Sequence, residues 1–232
     1  MGRTNVVDAV VFDLDGVLVD SEPVWEEVRR ALVEEYGGHW AGDAQSRLMG
    51  MSTGEWARYL SDELGVDLPS ERVAELVIDR VAERLTRDPP LMPGAPDAVR
   101  RLADRWPLGL ASSSPRRLIE AVLAASELAR AFLVTVSTEE VPRGKPAPDV
   151  YLAVVEGLDV RPASCVAVED STNGLRSAMA AGMRAIAVPQ PRYPVEQAVL
   201  RQAVAVLSDL RELTPDLIQS IGPDPTHRRG TG

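Results

Sequence analysis

Cysteine and histidine are almost missing from this chain: its 232 residues hold one cysteine, Cys165, and two histidines, His39 and His227. A single thiol cannot close an internal disulfide. No run of about 18 apolar residues exists, so no helix is expected to span a membrane. The opening MGRTNVVDAVVF has neither the long apolar segment nor the cleavage pattern of a secretory leader, and a reducing, cytoplasmic setting is expected. Positive charge is also short, with 25 Lys and Arg against 35 Asp and Glu, a net charge of -10 and no basic stripe. That balance argues against a nucleic-acid partner, whose binding rests on neutralised phosphates. His39 lies in Gly-rich and His227 in Arg-rich surroundings, and both read as surface residues. The chain carries no internal repeat.

What is present suits a folded domain with a sizeable core: 45% of the residues are hydrophobic and the mean hydropathy is -0.08. The organising stretch is Val10 to Glu22, VVFDLDGVLVDSE. Val6, Val7, Val10, Val11 and Phe12 form a β-branched and aromatic run of strand length that ends in Asp13, Asp15 and Gly16. Alternation puts both aspartates on one side of an extended backbone, and two anions held that close demand a cation, a proton or a phosphate site.

Residues 17–91 then read as a helical insertion: Val24, Val28, Leu32 and Tyr36 repeat at helical spacing, as do Val73, Leu76, Val77, Val81 and Leu85. The Pro-rich DPPLMPGAP at 88–96 is the return linker. From there to residue 222 short apolar strands alternate with helices, the pattern of an α/β fold with a doubly wound parallel sheet formed by 1–16 and 92–222. The tail 223–232 has almost no apolar side chains and is expected to be disordered. In such a sheet ligands collect beyond the carboxyl ends of the strands. Strand ends deliver Asp13 with Asp15, Ser112, and Glu169 with Asp170 to that edge, and Lys145 is expected to begin the helix before the fourth strand. Taken singly, Ser112 also suits the start of a helix, Lys145 a solvated surface, and Glu169–Asp170 a turn.

DLDGVLVDSE resembles the first motif of the haloacid dehalogenase superfamily, in the β-phosphoglucomutase-like subfamily IA whose α/β core carries an inserted helical cap. LASSS, GKPAPD and VEDSTNG resemble its remaining motifs, in family order. The resemblance implies that Asp13 is a nucleophile passing through an aspartyl phosphate and Asp15 the general acid/base. It implies that Ser112, the Ser113 backbone N–H and Lys145 hold the phosphoryl group. It further implies a Mg2+ ion ligated by the Asp13 and Asp170 carboxylates and the Asp15 carbonyl, with Glu169 reaching it through a water. The cap of this family shapes substrate choice; the candidates are Glu22, Trp25, Met51 and Thr53, with Ser114 and Arg116 from the core. Mutases of the family carry an arginine and a histidine where this chain has Thr53 and Trp25, which favours hydrolysis, and the aspartate at Asp15 disfavours dehalogenation. The expected function is a Mg-dependent phosphatase of a small phosphorylated metabolite, a sugar or polyol phosphate, working as a monomer or weak dimer. The alternatives are a phosphomutase and a non-catalytic binding module of the same fold.

Overall fold

The computed structural model describes residues 7–48 and 51–221. Strand β1 (Ala9–Phe12) opens the fold, and four helices follow: α1 (Glu22–Glu35), α2 (Ala44–Leu48), α3 (Thr53–Arg58) and α4 (Ser70–Arg87). The remainder alternates α5 (Ala95–Ala103), β2 (Leu108–Ser112), α6 (Arg116–Ala125), β3 (Phe132–Ser137), α7 (Asp149–Gly157), β4 (Cys165–Glu169), α8 (Thr172–Ala180), β5 (Arg184–Ala187), α9 (Gln197–Leu200), β6 (Ala205–Val206) and α10 (Pro215–Ser220). Two compact units result, one of Met1–Asp20 with Pro90–Gly232 and one of Ser21–Pro89. Residues 17–20 and 90–91, read from the sequence as part of the insertion, fall in the first unit, because Val19 forms bridges with Asp15 and Leu91.

In the first unit six strands form one parallel sheet in the order β3-β2-β1-β4-β5-β6. All four residues of β1 are fully buried, which a strand covered on both faces requires. Ala9 and Val11 pack with Val150, Tyr151 and Val154 of α7 and Leu175 and Ala178 of α8. Val10 and Phe12 point the other way by alternation, and Phe12 meets Phe132 edge-on at 6.0 Å. The chain builds outward from β1 through β2 to β3, then crosses to β4 on the opposite side. The end of β1 is therefore the point where strand order reverses, and Phe12 lies level with Leu110 on one neighbour and Val168 on the other. Asp13 is fixed there by its N–H, which donates to the Val168 carbonyl at 3.0 Å.

The second unit is all helical. Val73, Val77, Val81 and Leu85 of α4 are buried at four-residue spacing, as the sequence pattern predicts. On α1 the buried face is Trp25, Val28, Arg29, Leu32 and Val33, one residue round from the expected Val24 and Tyr36, which are half-buried. The wide indole at Trp25 fills that face edge-on against Trp56, with centroids 6.0 Å apart. The Arg29 guanidinium lies 4.7 and 5.1 Å from the two rings, and burial lowers it to about 10. His39 is exposed; His227 and the tail 223–232 lie outside the described residues. Among the described residues no helix is long and apolar enough to cross a membrane.

Candidate active site

Four carboxyls and one ammonium meet at the carboxyl edge of β1, β2 and β4. Asp13 and Asp15 follow β1, Glu169 is the last residue of β4 and Asp170 the next. Lys145 lies in the turn before α7, four residues ahead of its first residue, and so does not begin that helix as its sequence position suggested. It is the only lysine in the chain. Its ammonium donates to Asp13 Oδ1 and Glu169 Oε1, each at 2.6 Å, and to the Ala111 carbonyl at 3.0 Å. All three of its protons are thereby used.

Glu169 is fully buried with both oxygens committed. Oε1 accepts from Lys145 and from the Tyr151 hydroxyl at 2.9 Å; Oε2 accepts from the Asp170 and Ser171 N–H groups and the Ser171 hydroxyl, at 3.1, 3.3 and 3.2 Å. Ser171 also caps α8 by accepting from the Gly174 N–H at 3.0 Å. Gly174 has to be glycine: a Cβ there would lie 1.9 Å from the Glu169 carboxyl. Asp170 demands the same of Gly16, whose φ is +78° and whose Cβ would fall 2.0 Å from Asp170 Oδ2. Gln190 holds that turn by donating to the Gly16 carbonyl at 2.8 Å.

Electrostatics follow from burial and crowding. Burial pushes the Asp13 carboxyl up to about 8; the Lys145 ammonium opposes the rise, while Glu169 and Asp15 add to it. Burial and the neighbouring Glu169 and Asp13 hold Asp170 well above the ordinary carboxylate range. Burial alone would lower Lys145, yet Asp13 and Glu169 outweigh it and keep the ammonium charged beyond the usual lysine range. One cation against four carboxyls leaves an excess of negative charge that a divalent ion would balance. Oxygens of Asp13, Glu169 and Asp170 lie within 4.8 Å of one another, near the ~4.2 Å between opposite ligands of an octahedral Mg2+ with contacts of about 2.1 Å. These residues fit the ion.

Ser112, the last residue of β2, is fully buried, and its hydroxyl donates to Asp15 Oδ2 at 3.2 Å. Ser113 beside it is exposed. Ser114 donates to the same Asp15 oxygen at 2.7 Å. Arg116, a candidate for gripping the leaving group, is instead locked to Glu140 at 2.7 Å and to the Thr135 hydroxyl and carbonyl at 2.7 Å each. In the helical unit Glu22 accepts from Gln45 at 3.2 Å, Trp25 is a core residue, and Thr53 is half-buried at the start of α3. Met51 is half-buried and lines a depression with Glu55, Arg58, Tyr59, Asp62 and Glu63.

Sequence reasoning missed Tyr151, Ser171, Gly174 and Gln190. Ser171 and Gly174 lie inside the VEDSTNG motif, so a signal was available. Tyr151 and Gln190 lie outside the four motifs, and nothing local marks either.

A family model described as haloacid dehalogenase-like hydrolase matches residues 7–182. The chain is 36% identical over 231 residues to hexitol phosphatase B of Escherichia coli strain K12, covering 92% of this chain and 97% of that protein. It is 35% identical over 183 residues to the phosphorylated carbohydrates phosphatase of Thermotoga maritima, covering 78% and 84%. Among solved structures, the putative β-phosphoglucomutase of Thermotoga maritima superposes with a TM-score of 0.77 at 31% identity, covering 92% of this chain and 99% of that one. With the parallel sheet and the acidic cluster at its edge, these matches place the chain in one family: it belongs to the haloacid dehalogenase-like hydrolases.

Proposed function

We propose that this protein is a Mg2+-dependent phosphatase that hydrolyses a sugar or polyol phosphate through a covalent intermediate on Asp13. The observation that carries the reading is the convergence of Asp13, Glu169 and Asp170 within 4.8 Å around the ammonium of Lys145. The names of the hexitol and phosphorylated carbohydrates phosphatases support the substrate class.

A transferring phosphoryl group spreads negative charge over its equatorial oxygens, so catalysis is mostly positioning and cationic stabilisation. A Mg2+ held by the Asp13 and Asp170 carboxylates and the Asp15 carbonyl would supply Lewis acidity and offset charge at the phosphoryl oxygens. Lys145 restrains Asp13 and offsets its repulsion toward an incoming dianion. Glu169 restrains Lys145 in turn, and with five donors on its two oxygens that is its main part. The Ser112 hydroxyl and Ser113 N–H offer donors to the phosphoryl oxygens. Asp13 attacks phosphorus, Asp15 gives its proton to the departing alcohol, and Asp15 then takes a proton from the water that cleaves the aspartyl phosphate.

Phosphate release from p-nitrophenyl phosphate tests the class: wild type should turn over with Mg2+, and Asp13→Asn should fall to background. Equal rates for the two would end the catalytic assignment. A panel of phosphorylated sugars and polyols then identifies the leaving group. A phosphomutase is the second reading, favoured by the structural similarity to a putative β-phosphoglucomutase. It requires priming by a sugar bisphosphate without accumulation of inorganic phosphate; steady accumulation supports the hydrolase.

A further inference from the structure

Every polar group of Ser114 is committed within the core unit. Its N–H donates to Ser112 Oγ at 2.9 Å, its carbonyl accepts from the Ser137 hydroxyl at 2.7 Å, and its own hydroxyl donates to Asp15 Oδ2 at 2.7 Å. The residue is 7% exposed. Ser137 is fixed as well: its N–H donates to Glu140 Oε2 at 2.9 Å, and Arg116 clamps Glu140 while bonding Thr135 of β3. A side chain with a single χ angle thus stands on a backbone pinned at its amide and its carbonyl, and its hydroxyl meets one oxygen of one carboxyl. The hydroxyl is thereby engaged with Asp15.

We propose that Ser114 is a positioning residue for Asp15: its hydroxyl, backed by Ser137 and the Arg116–Glu140 clamp, holds the carboxyl in the orientation from which it hands a proton to the departing alcohol. The inference rests on the reading of Asp15 as general acid. In that step a bond forms between an Asp13 oxygen and phosphorus. The ester P–O bond breaks with its electron pair left on the alcohol oxygen, and the Asp15 proton moves to that oxygen. The benefit of a placed acid grows with the basicity of the oxygen it protonates. A fault in placement therefore shows most on poor leaving groups, whereas a general loosening of the fold slows all substrates alike.

The test is single-turnover phenol release with enzyme in excess and Mg2+ present, using phenyl phosphate and the better-leaving p-nitrophenyl phosphate. Ser114→Ala should slow phenyl phosphate roughly tenfold more than p-nitrophenyl phosphate, the scale of one lost hydrogen bond. Ser114→Thr, which keeps the hydroxyl, should bring the ratio back toward wild type. Asp15→Asn should show the same selectivity, larger. If Asp15→Asn is selective and Ser114→Ala slows both substrates equally, or only raises KM, the inference fails. If Asp15→Asn shows no selectivity, the general-acid reading itself fails.

Discussion

A carboxyl that binds a metal has to stay ionised, and Asp13 is built against that in the metal-free state: burial raises it to about 8 from an ordinary 3.8. Asp170 is raised for the same reason. Between the two values the folded protein keeps a proton that the unfolded chain has already released. The stability this contributes is complete below pH 3.8 and is lost as the pH climbs toward about 8. Metal-free protein should therefore show a Tm that falls from pH 5 to pH 8. Adding Mg2+ should raise Tm, by more at pH 8 than at pH 5, because the ion needs the ionised carboxylates. Differential scanning fluorimetry at the two pH values, with and without Mg2+, reads this directly. A Mg2+ shift equal at both, or absent, contradicts the picture. Lys145 works in the same cluster, and as the chain's only lysine among 25 basic residues it is the cation that both Asp13 and Glu169 grip at 2.6 Å. A compact point charge with three donors suits that spot better than the planar fork of an arginine.

Whole elements converge on the site only because two glycines, Gly16 and Gly174, let them come close. The Glu169 carboxyl occupies the space a Cβ of Gly174 would fill, so α8 can start directly over the end of β4. Gly174→Ala should push Glu169 aside and loosen its hold on Lys145. Urea unfolding is expected to record a loss of about 1–3 kcal/mol, the usual range for overpacking, together with a drop in kcat. Gly54 in α3 is the control, since a Cβ there meets nothing within 4 Å. Gly54→Ala should gain roughly 0.5–1 kcal/mol from helix propensity and reduced freedom of the unfolded chain. If the two substitutions shift stability alike, the close packing at Gly174 is not what fixes Glu169. Neither position announces itself by periodicity: Gly174 lies within a recognisable motif, while the need for close approach there is visible only once β4 and α8 are assembled.

Across the whole molecule the site draws on segments far apart in the chain, Asp13 and Lys145 being 132 positions apart. The folded sheet and the Lys145 ammonium hold the carboxyls together, and the metal should be what makes the gathering useful. Dialysis against EDTA should abolish p-nitrophenyl phosphate hydrolysis and Mg2+ should restore it. Ca2+, which prefers longer contacts and more ligands, should restore much less at equal concentration; full activity after thorough chelation would remove the metal from the mechanism. The sequence by itself determined the parallel α/β architecture, because short apolar runs alternating with amphipathic segments have one economical packing. It also marked Asp13, Asp15, Ser112, Glu169 and Asp170, because each stands at or beside a strand end within a motif, and Lys145, because it lies in a motif of its own. Only the tertiary structure decided how those groups share their charges: that Glu169 spends both oxygens on Lys145, Tyr151 and the turn into α8, that Arg116 is tied to Glu140, and that Ser114 faces Asp15. Strand periodicity follows from neighbours along the chain, whereas hydrogen-bond partners and close approach depend on distances in space between residues that the chain keeps far apart.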